Sequence, residues 1–223
     1  MKHLLHTLAI LALVSCHASP AADETEDTPQ VDETPEAADE TRQQDDYYLY
    51  HGIKIPLHKM DNKFYMVFYT ANLDKIKDEV QKAGATLEEV SQPMVYSTGT
   101  AAEKFVDCEA LVVKGDHEKV EAILSQALYR APFYMSDDGE EMGMTEMFSV
   151  VLKPGTTLEQ LETLARDNSV ETIGFDPHIP TWYHFACTTL SKGNSLDMST
   201  LFRASGLFTD TFPNRILHIR FDI

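Results

Sequence analysis

The stretch Met147–Gln160, with the sequence MFSVVLKPGTTLEQ, contains a strand, a turn and the start of a helix. The β-branched and aromatic residues of Met147–Leu152 predict a strand. Thr157-Leu158-Glu159-Gln160 is a capping box, in which the first and last side chains each bond to the backbone N–H of the other residue. Apolar residues then recur at helical spacing, at Leu158, Leu161, Leu164 and Ala165. The stretch therefore predicts a strand followed by an amphipathic helix.

The residues that follow complete a β-α-β-β-α-β order. The predicted strands are Val170–Phe175, Trp182–Cys187 and Leu207–Phe212. Pro177 and Pro180 lie in the loop between the first two of these strands. Asn194 or Ser195 is placed to cap a last helix, and Gly206 is placed to end it.

The preceding part of the chain repeats this order. Its predicted strands are Lys63–Tyr69, Thr86–Val90, Ala110–Val113 and Pro132–Met135. Asn72 and Asp116 are placed to cap its two helices. The sequence therefore predicts an α+β protein with two tandem ferredoxin-like β-α-β-β-α-β modules, at 47–136 and 137–223. Rival arrangements of the first module stay open, because element order is predicted more securely than strand pairing.

The N-terminus has the pattern of an exported lipoprotein. Lys2 precedes Leu4–Val14, an apolar run that is too short to cross a bilayer but has the length of a signal-peptide core. It ends in Leu13-Val14-Ser15-Cys16, which resembles the bacterial lipobox. We therefore predict a signal peptide at 1–15, lipidation of Cys16 and attachment to a membrane through the acyl chains. An ordinary signal peptide that ends near a cysteine is the alternative.

Residues 16–46 are strongly acidic. Between His17 and Asp46 there are 11 acidic residues and one basic residue, and the whole chain has a net charge of −18. Since Ala21–Asp46 has no aromatic residue, it cannot bury enough apolar surface to offset its ordering entropy, and we predict a disordered tether. It is either a plain spacer or an address, because such segments resemble the surface-export signals of Bacteroidetes lipoproteins. No stretch is basic enough to predict nucleic-acid binding.

The remaining cysteines, Cys108 and Cys187, lie in apolar runs that are typical of buried thiols. A disulfide between them stays open. No cysteine or histidine cluster has the spacing of a metal site. We therefore predict no metal site and no cofactor.

Short motifs run through Met135–Phe208. They are Asp138-Gly139-Glu140-Glu141-Met142-Gly143-Met144-Thr145, Phe148-Ser149-Val150-Val151-Leu152-Lys153-Pro154-Gly155, Leu158-Glu159-Gln160-Leu161, Pro180-Thr181-Trp182-Tyr183, Cys187-Thr188, Ser191-Lys192-Gly193-Asn194-Ser195-Leu196-Asp197-Met198, Leu201-Phe202 and Gly206-Leu207-Phe208. This series resembles the N-terminal prodomain of Bacteroidetes subtilisin-like serine proteases, a fervidolysin-type propeptide. The first module, with Tyr47-Tyr48-Leu49-Tyr50 and Gly52-Ile53-Lys54-Ile55, resembles the start of the same precursors more weakly.

The resemblance implies a propeptide that lays its sheet against surface helices of the protease and helps that domain to fold. It also implies that the C-terminal segment lies in the active-site cleft. The chain departs from the family in two ways: it ends at Ile223, where the precursors continue into a catalytic domain, and its tail, Thr209–Arg215, lacks the small residues before Glu-Pro. Whether this tail enters a cleft therefore stays open.

The catalytic motifs of these proteases are absent from the sequence. Their nucleophile motif is Gly-Thr-Ser, whereas Gly99-Thr100-Ala101, the nearest echo, has no serine. His51-Gly52 is followed by isoleucine rather than by threonine. A triad could be assembled on paper from His184, Asp210 and a serine. Any chain of this length contains such a set of residues, so the set does not indicate catalysis. We therefore predict no enzymatic activity.

Binding to another protein is the predicted mode of action. By alternation along Trp182–Cys187, Tyr183 and Phe185 should pack against helices while the residues between them face the other way. The predicted partner-binding residues are Trp182, His184, Phe212, Pro213 and Asn214. Packing of the Trp182 ring against the first module or the Pro177–Pro180 loop is the alternative.

We therefore predict an outer-membrane lipoprotein, at or near the cell surface, that inhibits or chaperones an exported subtilisin-like serine protease. Two alternatives stay open. The chain is either a truncated or split protease precursor, or a surface-binding lipoprotein that uses the same fold for another ligand.

Overall fold

The computed structural model describes residues 46–50 and 52–218. The strands are β1 (Asp46–Tyr50), β2 (Ile53–Tyr69), β3 (Thr86–Ser91), β4 (Cys108–Lys114), β5 (Tyr129–Ser136), β6 (Glu141–Leu152), β7 (Glu171–Asp176), β8 (Ile179–Ala186) and β9 (Phe208–His218). The helices are α1 (Leu73–Lys82), α2 (Met94–Ser97), α3 (His117–Leu124), α4 (Leu158–Asp167) and α5 (Ser195–Ala204). No helix of these residues is long and apolar enough to cross a membrane.

The predicted signal peptide, the predicted lipidation site Cys16 and residues 17–45 of the predicted tether lie outside the described residues. Asp46, the last residue of the predicted tether, is the first residue of β1.

The strands form one sheet, in which every described pairing is antiparallel. The order is β3-β4-β2-β5 in the first half and β7-β8-β6-β9 in the second half. Both halves thus place their strands in the same relative order. β5 and β6 pair through Phe133–Met135 and Glu141–Gly143, which joins the halves into a continuous sheet. The mixed α+β class predicted from the sequence is confirmed.

One face of the first half packs against α1 and α3. Phe64, Met66 and Phe68 of β2 share an apolar cluster with Leu111 and Val113 of β4. The helices contribute Ile76, Val80, Val120, Ile123 and Leu124 to the same cluster. Burial of each of these side chains contributes about 1.5–3 kcal/mol to the free energy of folding.

The other face of the first half packs against the connection between β3 and β4, residues 92–107. Tyr65 and Val67, which alternate with the residues facing the helices, belong to a second apolar cluster. Val95 and Phe105 of the connection lie in this cluster, and Phe105 is 0% exposed. The long connection therefore buries the sheet face that the helices leave free.

Glu146 ties this connection to both halves of the sheet. Its carboxyl group is fully buried, and it accepts hydrogen bonds from the Val95 N–H and the Tyr65 hydroxyl, each at 2.8 Å. Burial raises the pKa of Glu146, although these hydrogen bonds act in the opposite direction. Glutamate at this position is therefore a buried polar contact, a role that the sequence did not reveal.

The second half buries a cluster of phenylalanine rings between its sheet and α5. The Phe148 and Phe185 rings stack with centroids 5.3 Å apart. Phe202 of α5 meets both rings edge-on, at 4.9 and 5.2 Å, and stacks on Phe208 of β9 at 5.6 Å. The prediction that Phe185 packs against a helix is confirmed.

The helix caps predicted from the sequence are present except at α1. Thr157 and Gln160 form the predicted capping box, and Asn194 rather than Ser195 caps α5. The prediction that Asn72 caps α1 is wrong, because its side chain makes no cap hydrogen bond. The chain enters α1 from a 3₁₀ turn, Thr70–Asn72, so Asn72 already has helical backbone angles.

β6 and β9 of the second half are longer than predicted. β6 begins at Glu141 rather than at Met147, and its first residues pair with Arg215–His218 of β9. A Cβ atom at Gly143 of β6 would come within 2.5 Å of the Phe133 ring, so this position requires glycine. Glycine and charged residues at the start of β6 hid the strand pattern in the sequence. Because these residues of β6 pair with β9, β9 runs to His218 instead of ending at Phe212.

Candidate functional site

Side chains of three neighbouring strands form a half-buried surface on the second half, which we call the Trp182 face. Its members are Ser149 and Val151 of β6, Trp182 and His184 of β8, and Phe212 of β9. Ser149 lies opposite both His184 and Phe212, and Val151 lies opposite Trp182. Because alternate residues of a strand point to one side, these five side chains lie on the side of the sheet away from Phe148, Phe185 and α5.

The short turn between β7 and β8 explains why this face is only half-buried. Two residues, Pro177 and His178, connect these strands, whereas residues 92–107 connect the corresponding strands of the first half. The second half therefore has no long connection that could fold over its sheet.

Trp182 packs against Phe212 of β9. Their ring centroids lie 5.5 Å apart at an interplanar angle of 22°. The indole Nε1 atom is buried, and it has no hydrogen-bond partner among the described residues. A buried donor without an acceptor is uncommon and costs about 1–3 kcal/mol.

His184 is held in the same face by a serine that sequence reasoning missed. The His184 Nδ1 atom and the Ser149 hydroxyl lie 2.9 Å apart. Burial lowers the pKa of His184, and the nearby Asp176 carboxylate partly offsets this effect. Ser149 is 3% exposed in the middle strand, so its hydroxyl orients the imidazole and does not face solvent as a nucleophile would. A single polar residue inside Phe148–Val151 was the only signal of this contact in the sequence.

The five predicted partner-binding residues do not form one surface. Trp182, His184 and Phe212 lie together, whereas Pro213 is buried and alternates with Phe212 to the other side of β9. Asn214 is half-buried, and its backbone carbonyl accepts a hydrogen bond from the Thr145 hydroxyl at 3.3 Å. Pro213 therefore lies on the other side of β9 from the Trp182 face, since strand alternation turns it inward.

The tail segment Thr209–Arg215 is part of β9 and pairs with β6. Its outer edge is also occupied. Asp210 bonds to Arg203 of α5 and accepts the Thr211 N–H at 2.9 Å, while Arg203 donates to the Thr211 carbonyl at 3.3 Å. Pro213, two residues on, has no N–H to offer. These features close the middle of the edge to pairing with another strand.

His184 and Asp210, which the sequence analysis considered for a triad and dismissed, are not bonded to each other. Asp210 bonds to Arg203 instead of to His184, and Ser149 is the residue that contacts His184. In residues 46–50 and 52–218 no group of His, Cys, Asp and Glu side chains is arranged to hold a metal ion.

The two cysteines of the described region, Cys108 and Cys187, are buried free thiols, so the disulfide that the sequence left open is not formed. Burial is the main cause that raises the pKa of the Cys108 thiol to about 11 and that also raises the pKa of Cys187. At neutral pH both thiols are therefore protonated and unreactive.

No protein-family model matches the chain, and no curated protein is similar to it in sequence. Among solved structures, the small subunit of acetolactate synthase from Thermotoga maritima is 11% identical, with a TM-score of 0.23, over 73% of this chain and 98% of that one. A putative glycine cleavage system transcriptional repressor is 12% identical, with a TM-score of 0.22, over 71% of this chain and 98% of that one. Similarity at this level identifies neither a family nor a function for this chain.

Proposed function

We propose that this protein acts by binding another protein through the Trp182 face, and that the partner is an exported subtilisin-like serine protease, which it inhibits or helps to fold. The observation that supports a binding function best is the Trp182–Phe212 pair on a half-buried sheet face. Large aromatic side chains at the centre of such a face are typical of interface hot spots. The choice of partner rests on the sequence motifs between Asp138 and Phe208.

The contacts of the polar side chains favour binding over catalysis. The Ser149 hydroxyl is buried and engaged with His184, and both thiols are buried. A nucleophile must be accessible to its substrate and adjacent to a base. We propose a non-enzymatic role for this reason.

The arrangement proposed for the whole chain is two tandem ferredoxin-like modules on an acidic tether, anchored through Cys16 in the outer membrane. The repeated strand order of the two halves supports the tandem modules. The lipobox-like sequence before Cys16 and the acidic residues after it support the anchor and the tether. An anchored binder of this kind would hold its partner near the outer membrane.

The test is a titration of the full chain, carrying Cys16→Ser so that it is not acylated, into subtilisin-type proteases. We expect stoichiometric loss of protease activity at sub-micromolar protein, which corresponds to a binding free energy of about −8 kcal/mol or stronger. Refolding of denatured protease in the presence of the chain tests the chaperone role separately. Digestion of the chain with neither inhibition nor faster refolding would contradict the proposal.

A further inference from the structure

The Trp182 indole N–H is a buried hydrogen-bond donor. More than 90% of buried polar groups in proteins have a hydrogen-bond partner, yet Nε1 of Trp182 has none among the described residues. The loss of one hydrogen bond lowers stability, so a sequence under selection for stability alone would place phenylalanine or leucine here. The presence of an indole at this position therefore points to a role in another state of the molecule.

The acceptors that strand register brings closest bond to other groups, and none of them accepts from the indole N–H. The Ser149 hydroxyl bonds to His184, at 2.9 Å from Nδ1. The Asp210 carboxylate bonds to Arg203 and to the Thr211 N–H. Trp182 thus lies between side chains that already have partners, with one ring face against Phe212. An acceptor for the indole has to come from outside these neighbours.

Charge limits what that acceptor can be. The chain has a net charge of −18, and residues 137–218 contain 12 acidic and 5 basic side chains. Asp176 lies close enough to His184 to act on its pKa. An anionic acceptor would be repelled here, whereas a neutral carbonyl flanked by basic side chains would be attracted.

We propose that Trp182 turns out of its stack with Phe212 when a partner docks, and donates its indole N–H to a backbone carbonyl in a basic segment of the partner polypeptide. This inference rests on the proposed binding function of the Trp182 face and adds the residue that anchors the partner and the chemistry that it recognises. In the free protein the stack with Phe212 keeps the large ring out of water. In the complex the partner replaces Phe212 and supplies the missing acceptor.

The substitution Trp182→Phe separates this role from a structural one. It keeps an aromatic ring for the stack and removes only the N–H and part of the ring area. We expect a higher unfolding midpoint for the free protein, because the buried donor without an acceptor is gone, and binding to the partner that is about tenfold weaker or more. A purely structural Trp182 would lower the unfolding midpoint when substituted and leave binding unchanged.

The experiment uses the full chain with Cys16→Ser, labelled with ¹⁵N at its single tryptophan, and unlabelled subtilisin whose active-site serine is chemically blocked. One indole N–H resonance is therefore observed. On formation of the complex it should move downfield and become protected from exchange with solvent. Leu190→Ala, at a side chain that is 72% exposed in a loop away from the Trp182 face, is the matched control and should bind as the unmodified chain does.

Each outcome decides a different point. A complex with a shifted indole resonance, weakened by Trp182→Phe and unaffected by Leu190→Ala, supports the inference. A complex in which the resonance stays unchanged overturns the inference and leaves the proposed function intact. Failure to form any complex overturns the proposed function, and the inference falls with it.

Discussion

The two halves of the molecule share a strand order but differ in whether a connection covers the sheet face opposite their helices. In the first half, residues 92–107 fold over that face, and Tyr65 and Phe105 are 2% and 0% exposed. In the second half the corresponding connection is Pro177–His178, and the Trp182 face stays half-buried. The comparison shows that loop length, rather than strand order, decides which half has a surface available for a partner.

The largest effect is expected where the first half is covered. Phe105→Ala removes a fully buried ring from the connection and leaves a cavity against the sheet. We expect a loss of about 3–5 kcal/mol in the free energy of unfolding, measured by urea denaturation. Val106→Ala, at a neighbouring side chain that is 50% exposed, is the control and should change little. Equal, small effects of both substitutions would show that the connection does not pack on the sheet.

The buried Glu146 carboxyl predicts a pH dependence of stability. Because burial raises its pKa in the folded protein above the ordinary value of 4.5, it contributes stability below pH 4.5, and this contribution is lost as the pH rises through the folded pKa. Glu146→Gln keeps an acceptor for the Val95 N–H and removes the ionisation. We therefore expect the free energy of unfolding of the variant to increase relative to that of the unmodified protein as the pH rises, by about 1.4 kcal/mol for each unit of pKa shift.

Urea unfolding between pH 4 and pH 8 measures this effect, with Glu159→Gln, which removes an exposed carboxyl group, as the matched control. A profile of Glu146→Gln that runs parallel to that of the unmodified protein would mean that Glu146 does not titrate differently on folding.

A smaller effect is expected in the uncovered half. Phe212→Ala removes one ring of the stacked pair but leaves no enclosed cavity, since the face is only half-buried. We expect a loss of about 1 kcal/mol, close to the value of an aromatic pair, and a red shift of the single tryptophan's fluorescence as the indole becomes hydrated. A loss as large as that of Phe105→Ala would remove the contrast between the two halves.

The smallest effect concerns the edge of β9. Arg203→Ala frees the Thr211 carbonyl and weakens the hold on Asp210, so the edge becomes available to another strand. We expect little change in stability but weak self-association at high protein concentration, measured by sedimentation velocity. Arg166→Ala, on the exposed surface of α4, should stay monomeric to the same degree as the unmodified chain. If neither variant associates, Pro213 alone is enough to protect the edge.

Local sequence patterns predicted the elements well wherever a signal is confined to a few residues. The capping box at Thr157 and Gln160 and the cap at Asn194 are present, because each depends on side chains within three positions of one another. The sequence did not predict the start of β6, because glycine is unfavourable in strands. Glycine is needed at position 143 because a Cβ atom there would collide with the Phe133 ring of the neighbouring strand.

The candidate site was only partly predictable for the same reason. Alternation correctly put Trp182 and His184 on one side of β8. Ser149, the stack on Phe212 and the inward turn of Pro213 depend on register between strands that lie far apart in the sequence. Whether a face is covered depends in turn on how residues 92–107 fold, which no short motif specifies.

Side-chain footprinting shows directly whether a partner covers the Trp182 face. Hydroxyl radicals label accessible aromatic side chains, and the full chain with Cys16→Ser would be labelled alone and in the presence of blocked subtilisin. If a partner covers the Trp182 face, labelling of Trp182, His184 and Phe212 is reduced in the complex. Labelling of Tyr69, which is 44% exposed in the first half, stays unchanged. A complex in which Trp182, His184 and Phe212 are labelled as strongly as in the free protein would contradict the proposed binding through the Trp182 face.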